Sequence, residues 1–234
     1  MKNTPALSVC VPFYPWYREH DRTSEVFDVL IKGLNKCDRV ESMELCILDA
    51  GVVDVWGRGR IHYSRKFQVD LARSFKGHVN YKFDEGSIHY DDKGIPRFWV
   101  AKAVDNAVRN SSSDRILIFG IDCYASSDLM DRYDKNVSKG IAWVILAYNI
   151  PAFTKFEKGG VHSGWHTAKG IVGILKKDYF RVGGYNPQYI KDKCDSDFYV
   201  RIAQKFKLVM NKENGFFHVN HPGSNAGRIW RVDA

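Results

Sequence analysis

The chain has 234 residues, 44% hydrophobic and 14% aromatic, enough for the core of one globular domain and too apolar for a disordered chain. Its net charge of +8 comes from scattered lysines and arginines rather than a basic block. That argues against a disordered basic tail and leaves open an anionic partner, whether nucleotide diphosphate, acidic glycan or nucleic acid, or no polyanion at all.

No apolar run approaches the roughly 18 residues that span a membrane, and the opening MKNTPALSVCVPFYPWY lacks a signal-peptide layout. Cys10, Cys37, Cys46, Cys123 and Cys194 form an odd set without CxxC spacing. Buried thiols are expected rather than zinc ligands, and the expected compartment is the cytoplasm.

The first predicted strand is Leu7 to Val11, stopped by Pro12 and Pro15. A helix follows from about Glu25 to Asn35, capped by Ser24, with Val26, Leu30 and Leu34 on one face. Glu44 to Leu48 reads as the second strand, ending in Asp49-Ala50-Gly51. Tyr63 to Phe75 has helical periodicity, and Val79 to Phe83 alternates like a third strand before the polar turn Asp84-Glu85-Gly86. Pro96 suits the first turn of a helix running to about Arg109, with Val100, Ala103, Val104, Ala107 and Val108 as its apolar stripe. The run Ile116-Leu117-Ile118-Phe119 is the strongest buried-strand signal and ends at Gly120-Ile121-Asp122.

Ile141 to Ala147 is a further predicted strand, Lys155 to Gly164 a loop and Gly170 to Leu175 another strand. After a short helix, a second one starts near Asp197 with Phe198, Ile202 and Phe206 as its stripe. Phe216 to Arg228 reads as strand, then loop. Strands alternating with helices through the first two-thirds predict an α/β chain with a mostly parallel central sheet flanked by helices.

In such sheets ligands bind beyond the C-terminal ends of the strands, where Asp49 and Asp122 stand. A carboxylate there can bind a ribose or base, or hold a divalent cation against a diphosphate; alone, either Asp could merely cap a turn.

The segments LSVCVPFY, ELCILDAG and RILIFGIDCYASSDLM resemble, in order and spacing, the donor-binding half of family-2-type glycosyltransferases with the GT-A fold. GWHTAKGIVGILKKDYFRVGGYNPQY and KCDSDFYVRIAQKF look like their acceptor half, which is also similar to the C-terminal regions of galactosyltransferases and GalNAc-transferases. The resemblance implies a single GT-A, Rossmann-like domain over 1–234, with residues 1–125 binding a nucleotide sugar, expected to be a UDP-sugar. Residues 126–234 would form the acceptor half and a metal-ligand tail.

By the same resemblance the nucleotide lies near Pro12 and Asp49. Asp122 takes the second acidic position of the family's DxD motif, with Gly120 in place of the first. Asp195 becomes the general base, in an ED-x-D pattern where Cys194 replaces the Glu, and Asp197 orients the site. Without it, acids at a helix start serve the helix dipole or the cap.

His218 and His221 match the place of a histidine that completes the metal site, His218 first, and imidazole favours manganese over magnesium. Asp105-Asn106 fall near the family's Arg-Asn dipeptide, which makes Asn106 a donor contact, with Arg97 or Lys102 as a cation for the diphosphate. Trp165 and His166 are candidates for stacking on a sugar or base on the acceptor side. Gly183, Gly184 and Tyr185 are expected to form a tight turn without chemistry.

The implied reaction is inverting transfer of a sugar to a hydroxyl of a glycan, a polysaccharide precursor, a protein or a hydroxylated base of DNA. Steep loss of binding with salt would distinguish DNA from a neutral glycan. The rivals are a nucleotidylyltransferase, disfavoured because Pro12-Phe13-Tyr14-Pro15-Trp16 is no Gly-rich phosphate loop, and a non-catalytic binding module.

Overall fold

The computed structural model describes residues 4–13, 20–50, 52–53, 60–61, 65–90, 92, 96–150, 166–189 and 193–219. The first half comprises β1 Leu7–Phe13, α1 His20–Leu34, β2 Met43–Asp49, β3 Val52–Val53, β4 Arg60–Ile61, α2 Arg65–Ser74 and β5 His78–Phe83. It continues with β6 Ile88–Tyr90, β7 Pro96–Phe98, α3 Val100–Asn110 and β8 Arg115–Ile118. Then come β9 Cys123–Tyr124, α4 Leu129–Asn136, β10 Ile141–Ile150, β11 His166–Leu175, α5 Lys176–Arg181, α6 Cys194–Lys205 and β12 Lys207–Val219.

One eight-stranded sheet runs in the order β5-β2-β1-β8-β11-β10-β12-β9. Its β5, β2, β1 and β8 are parallel. β11 enters antiparallel between β8 and β10, β12 lies parallel to β10, and β9 closes the order antiparallel to β12. The mostly parallel sheet flanked by helices is thus present, with antiparallel contacts gathered in the second half.

β1 and β2 are buried along their whole length apart from Pro12, as expected for parallel strands covered on both faces. Alternate residues feed two cores. Val9, Val11, Leu45 and Ile47 pack with Leu30 and Leu34 of α1, Leu71 of α2 and Tyr133 of α4. Cys10, Cys46 and Leu48 pack with Val104 and Ala107 of α3, Tyr179 of α5, and Phe198 and Ile202 of α6. All five cysteines are buried, and none forms a disulfide with another. Among the described residues, no helix is long and apolar enough to cross a membrane.

Pro12 does not stop β1, which continues to Phe13. Successive residues of a strand turn their backbone groups to opposite neighbours. The Phe119 N–H donates to Cys10 O at 3.0 Å and the Ala50 N–H to Phe13 O at 2.9 Å, so Cys10 and Pro12 face β8 while Phe13 faces β2. β8 pairs only up to Ile118, opposite Cys10, so the N–H that Pro12 lacks has no ladder to serve.

Pro96 is not in the first turn of α3 but in β7, matched with Tyr90 in a two-stranded ribbon. Both strands of such a ribbon are edges, where a missing N–H can face outward. The Trp99 N–H donates to Ser87 O at 2.9 Å, and α3 begins only at Val100. α1 starts earlier than expected, at His20, and α6 starts at Cys194, which brings Asp195 into its first turn. The loop expected over 155–164 lies outside the described residues.

Glu44 is fully buried near the start of β2. It accepts hydrogen bonds from Ser8 Oγ at 2.5 Å, the Ser112 N–H at 2.7 Å, Ser112 Oγ at 2.8 Å and Asn80 Nδ2 at 3.2 Å. Burial pushes this carboxyl up, but the bonds from Ser8, Ser112 and Cys46 outweigh it and hold it below its ordinary range. Its contribution to stability is therefore present above the unfolded-state value and lost as pH falls through the folded one. Glu44→Gln, which sets an amide among donors, is expected to cost about 2–3 kcal/mol in urea unfolding at neutral pH, with the gap to wild type closing in acid.

Candidate functional site

The C-terminal ends of β2 and β5 carry two carboxylates. Asp49, buried at the end of β2, is matched with Phe13 on one side and Phe83 on the other, and its Oδ2 accepts the Tyr81 hydroxyl. Asp84, just past β5, accepts from Asn106 Nδ2 at 2.6 Å, Ser87 Oγ at 2.7 Å and the Gly86 N–H at 3.0 Å. Burial raises the Asp84 carboxyl, and these bonds together with the Lys102 charge more than offset it, so it is held low and ionised.

Two expected donor contacts on α3, Lys102 and Asn106, are therefore gathered around Asp84, with Lys102 Nζ also 5.1 Å from the centre of the Trp99 ring. Arg97 pairs with His89 in the β6–β7 ribbon, close by in the chain. Pro12 sits one residue from the end of β1, opposite Leu48.

Asp122 follows β8. Its Oδ2 lies 2.9 Å from His218 Nε2, with side-chain exposures of 15% and 4%, and the Cys123 thiol donates to its Oδ1 at 3.5 Å. The ladder explains this proximity: β9 pairs with β12 through Phe217↔Tyr124 and His218↔Cys123, which fixes the imidazole beside the residue following Asp122. Gly120 is part of the same packing. A Cβ there would stand 2.5 Å from Asp122 Oδ1 and 3.0 Å from Cys123 Sγ, so the departure from a paired acidic motif has a steric counterpart.

Asp195 stands in the first turn of α6, entered through Lys193 in the left-handed conformation at φ 66°. Its Oδ1 accepts the Tyr185 hydroxyl at 2.9 Å. Burial is the largest influence and pushes the carboxyl above its ordinary value; the Tyr185 bond pulls the other way without cancelling it. Gly170 of β11 lies against the carboxylate, so that a Cβ there would be 3.0 Å from Oδ1 and 3.3 Å from Oδ2.

The register explains why Gly170 can do this. Ala168 and Val172 pair with Leu146 and Val144, so residues 169–171 bulge opposite Ile145, and Gly170 takes φ +72°. Asp197 points elsewhere: it binds Arg201 at 2.6 Å, and Arg201 Nη1 donates to Val182 O at 2.8 Å and Gly184 O at 2.7 Å. Its role is to tie α6 to the Gly183–Gly184 turn, whose positive φ values of 89° and 63° match the expectation of a tight turn.

β8 and β11 relate the two clusters. Ile118, the last residue of β8, is matched with Val172; Gly120, two residues beyond it, lies against Asp122, and Gly170, two residues before Val172 in β11, lies against Asp195. Both carboxylates thus stand by the same end of one strand pair. His166, at the start of β11, is matched with Tyr148, whose other neighbour is Phe217, next to His218. Trp165 and His221 lie outside the described residues.

Sequence reasoning missed Asp84 and the Tyr185 hydroxyl. The signal for Asp84 was its place just after a strand, the same as that of Asp49 and Asp122; for Tyr185 it was a polar oxygen in an otherwise apolar helix-packing position.

No family model and no curated protein sequence matches the chain. Solved structures do. The S. aureus TarS crystal structure superposes with a TM-score of 0.58 at 10% identity, over 92% of this chain and 37% of that one. TarS 1-349 in complex with UDP gives 0.59 at 10% identity, over 92% of this chain and 61% of that one. The mannosyltransferase PcManGT from Pyrobaculum calidifontis, in complex with GDP-Man and Mn2+, gives 0.55 at 11% identity, over 96% and 59%. The chain therefore spans between 37% and 61% of the length of these structures. At such identities the likeness speaks for architecture, and the architecture is that of the GT-A glycosyltransferases.

Proposed function

We propose that this chain is a glycosyltransferase that moves a sugar from a nucleoside-diphosphate sugar, with a UDP-sugar as the expected donor, to an acceptor hydroxyl with inversion. Residues 1–125 bind the donor: the nucleotide lies over the ends of β1, β2 and β5, against Pro12 and Asp49, with Arg97, Lys102 and Asn106 toward the diphosphate. Residues 126–234 supply the acceptor side, with Trp165 and His166 as acceptor contacts and Asp197 holding α6 in place. The observation that carries the reading is the position of Asp122 and Asp195, two carboxylates from distant parts of the chain, by the same end of the β8–β11 pair.

Asp195 accepts the proton of the acceptor hydroxyl as its oxygen attacks the anomeric carbon. The bond from that carbon to the diphosphate oxygen breaks, and the nucleoside diphosphate leaves with the bonding pair. A buried carboxylate whose proton affinity is raised is suited to this task.

The donor atoms of Asp122 and His218 fit a divalent cation. Two metal bonds of about 2.1 Å at a right angle place their donors about 3 Å apart, and Oδ2 and Nε2 are 2.9 Å apart. Among the described residues no group of three potential ligands forms, and His221, expected as another, lies outside them. Bound there, manganese in preference to magnesium would offset the charge on the departing diphosphate.

Exhaustive chelation is expected to lower turnover of UDP-GlcNAc or GDP-mannose by about 100-fold or more, with manganese restoring it better than magnesium, and Asp122→Ala to lose as much. Full turnover after chelation would defeat the cation's part in the reaction.

A further inference from the structure

Resting on that reading, we propose that Tyr185 is the positioning residue of the general base: its hydroxyl occupies Asp195 Oδ1 and so aims Oδ2 at the acceptor.

Tyr185 is fixed from several sides. Its N–H donates to Tyr179 Oη at 3.1 Å, and Tyr179 Oη donates to Asp105 Oδ1 at 3.2 Å, while Asp105 Oδ2 accepts Arg109 Nε at 2.7 Å. The carbonyl just before it, on Gly184, accepts Arg201. Its ring stacks on Phe198, centroids 4.5 Å apart and planes 30° apart, and the residue is only 2% exposed. With its ring stacked on Phe198 and its backbone held through Tyr179 and Arg201, Tyr185 presents its hydroxyl to Asp195 Oδ1 at 2.9 Å.

The carboxylate has two oxygens, and a donor held on one leaves the other to take a proton. Gly170 leaves room at the carboxylate, since a side chain there would begin 3.0 Å and 3.3 Å from its two oxygens. Asp105, which stands where the resembling family has an arginine, thereby acquires a role: it anchors the phenol that anchors Tyr185. Tyr199, like Asp195 on α6, is a further titratable group close to the carboxylate. The hydroxyl hydrogen-bonded to Asp195 is that of Tyr185, while the Tyr199 hydroxyl, buried nearby, makes no hydrogen bond to the carboxylate among the described residues.

Tyr185→Phe keeps the ring and its stacking and removes one oxygen. Thermal unfolding across pH is compared for wild type, Asp195→Asn, Tyr185→Phe and the double variant. The penalty of carrying Asp195 rather than Asn grows as pH rises and levels off at the folded-state pKa of Asp195. Without the Tyr185 hydroxyl it is expected to level off about one pH unit higher, because a bond to the charged form has been lost. The acidic limb of the pH–turnover profile, measured with UDP-GlcNAc or GDP-mannose, is expected to move by the same amount in Tyr185→Phe, with turnover recovering at high pH.

An equal levelling-off in both backgrounds, or a loss of turnover uniform across pH, would overturn the proposal and leave Tyr185 a packing residue. The unfolding arm needs no substrate. A wild type inactive on both donors would count against the enzyme reading, while unfolding still decides whether Tyr185 controls Asp195.

Discussion

Asp195→Asn is expected to reduce sugar transfer by at least about 100-fold while making the protein more stable at neutral pH. The two effects have one cause. Burial raises the folded-state pKa of Asp195 above that of an unfolded chain. Stability linked to this group is thus complete below the unfolded value and lost as pH rises through the folded one, so at neutral pH the ionised side chain works against the fold. Asparagine removes that charge, keeps an oxygen for the Tyr185 hydroxyl, and introduces no change in size.

The melting temperature is therefore expected to rise by about 2–4 °C, the effect of about 1 kcal/mol in a chain of this length. In acid, below both pKa values, the difference should vanish. Binding of UDP, followed by calorimetry, should be unchanged, because the proposed nucleotide contacts lie on β1, β2, β7 and α3 and not on α6. A variant that keeps its turnover would remove Asp195 from the reaction; one that loses turnover and stability together at neutral pH would mean that the carboxylate is part of the scaffold.

Gly120→Asp, which restores a two-carboxylate motif in sequence, is expected to be damaging rather than neutral. The new Cβ would meet Asp122 Oδ1 at 2.5 Å and Cys123 Sγ at 3.0 Å. Asp122 cannot move aside without leaving His218, 2.9 Å away. Overpacking of this kind costs about 1–3 kcal/mol, and a second carboxylate beside the first adds like-charge repulsion. Urea unfolding without added cation should show a loss of about 3 kcal/mol, and manganese-dependent turnover should fall by about 10-fold or more. Stability equal to wild type would show that the segment after β8 can accommodate the usual motif, and that Gly120 needs another explanation.

Much of the fold is legible in the chain because parallel strands covered on both faces must be apolar throughout. LSVCV, ELCIL and RILI read as strands for that reason, and the stripe of α3 follows from helical spacing. The errors occurred where a local rule depends on a neighbour that sequence does not name. Pro12 is harmless only because β8 ends beside it, and Pro96 belongs to a ribbon whose partner is Tyr90. The family resemblance singled out Asp122, Asp195 and His218, and the last stands beside the first. Contacts made across long stretches of chain were not legible: Asn106 on Asp84, and Asp105 on Tyr179 beneath the Gly184 turn, are decided by how α3 seats against two loops.

The proposed division of roles near residue 125 is not a division of the sheet. β11, from the later half, pairs with β8 of the earlier one, and β9, from the earlier half, completes the edge of β12. Each half lends a strand to the other, so neither could be exchanged by recombination as an intact module. On the proposed function, new donor or acceptor preferences would have to arise by substitution at the rim of a shared scaffold, with both halves evolving in concert.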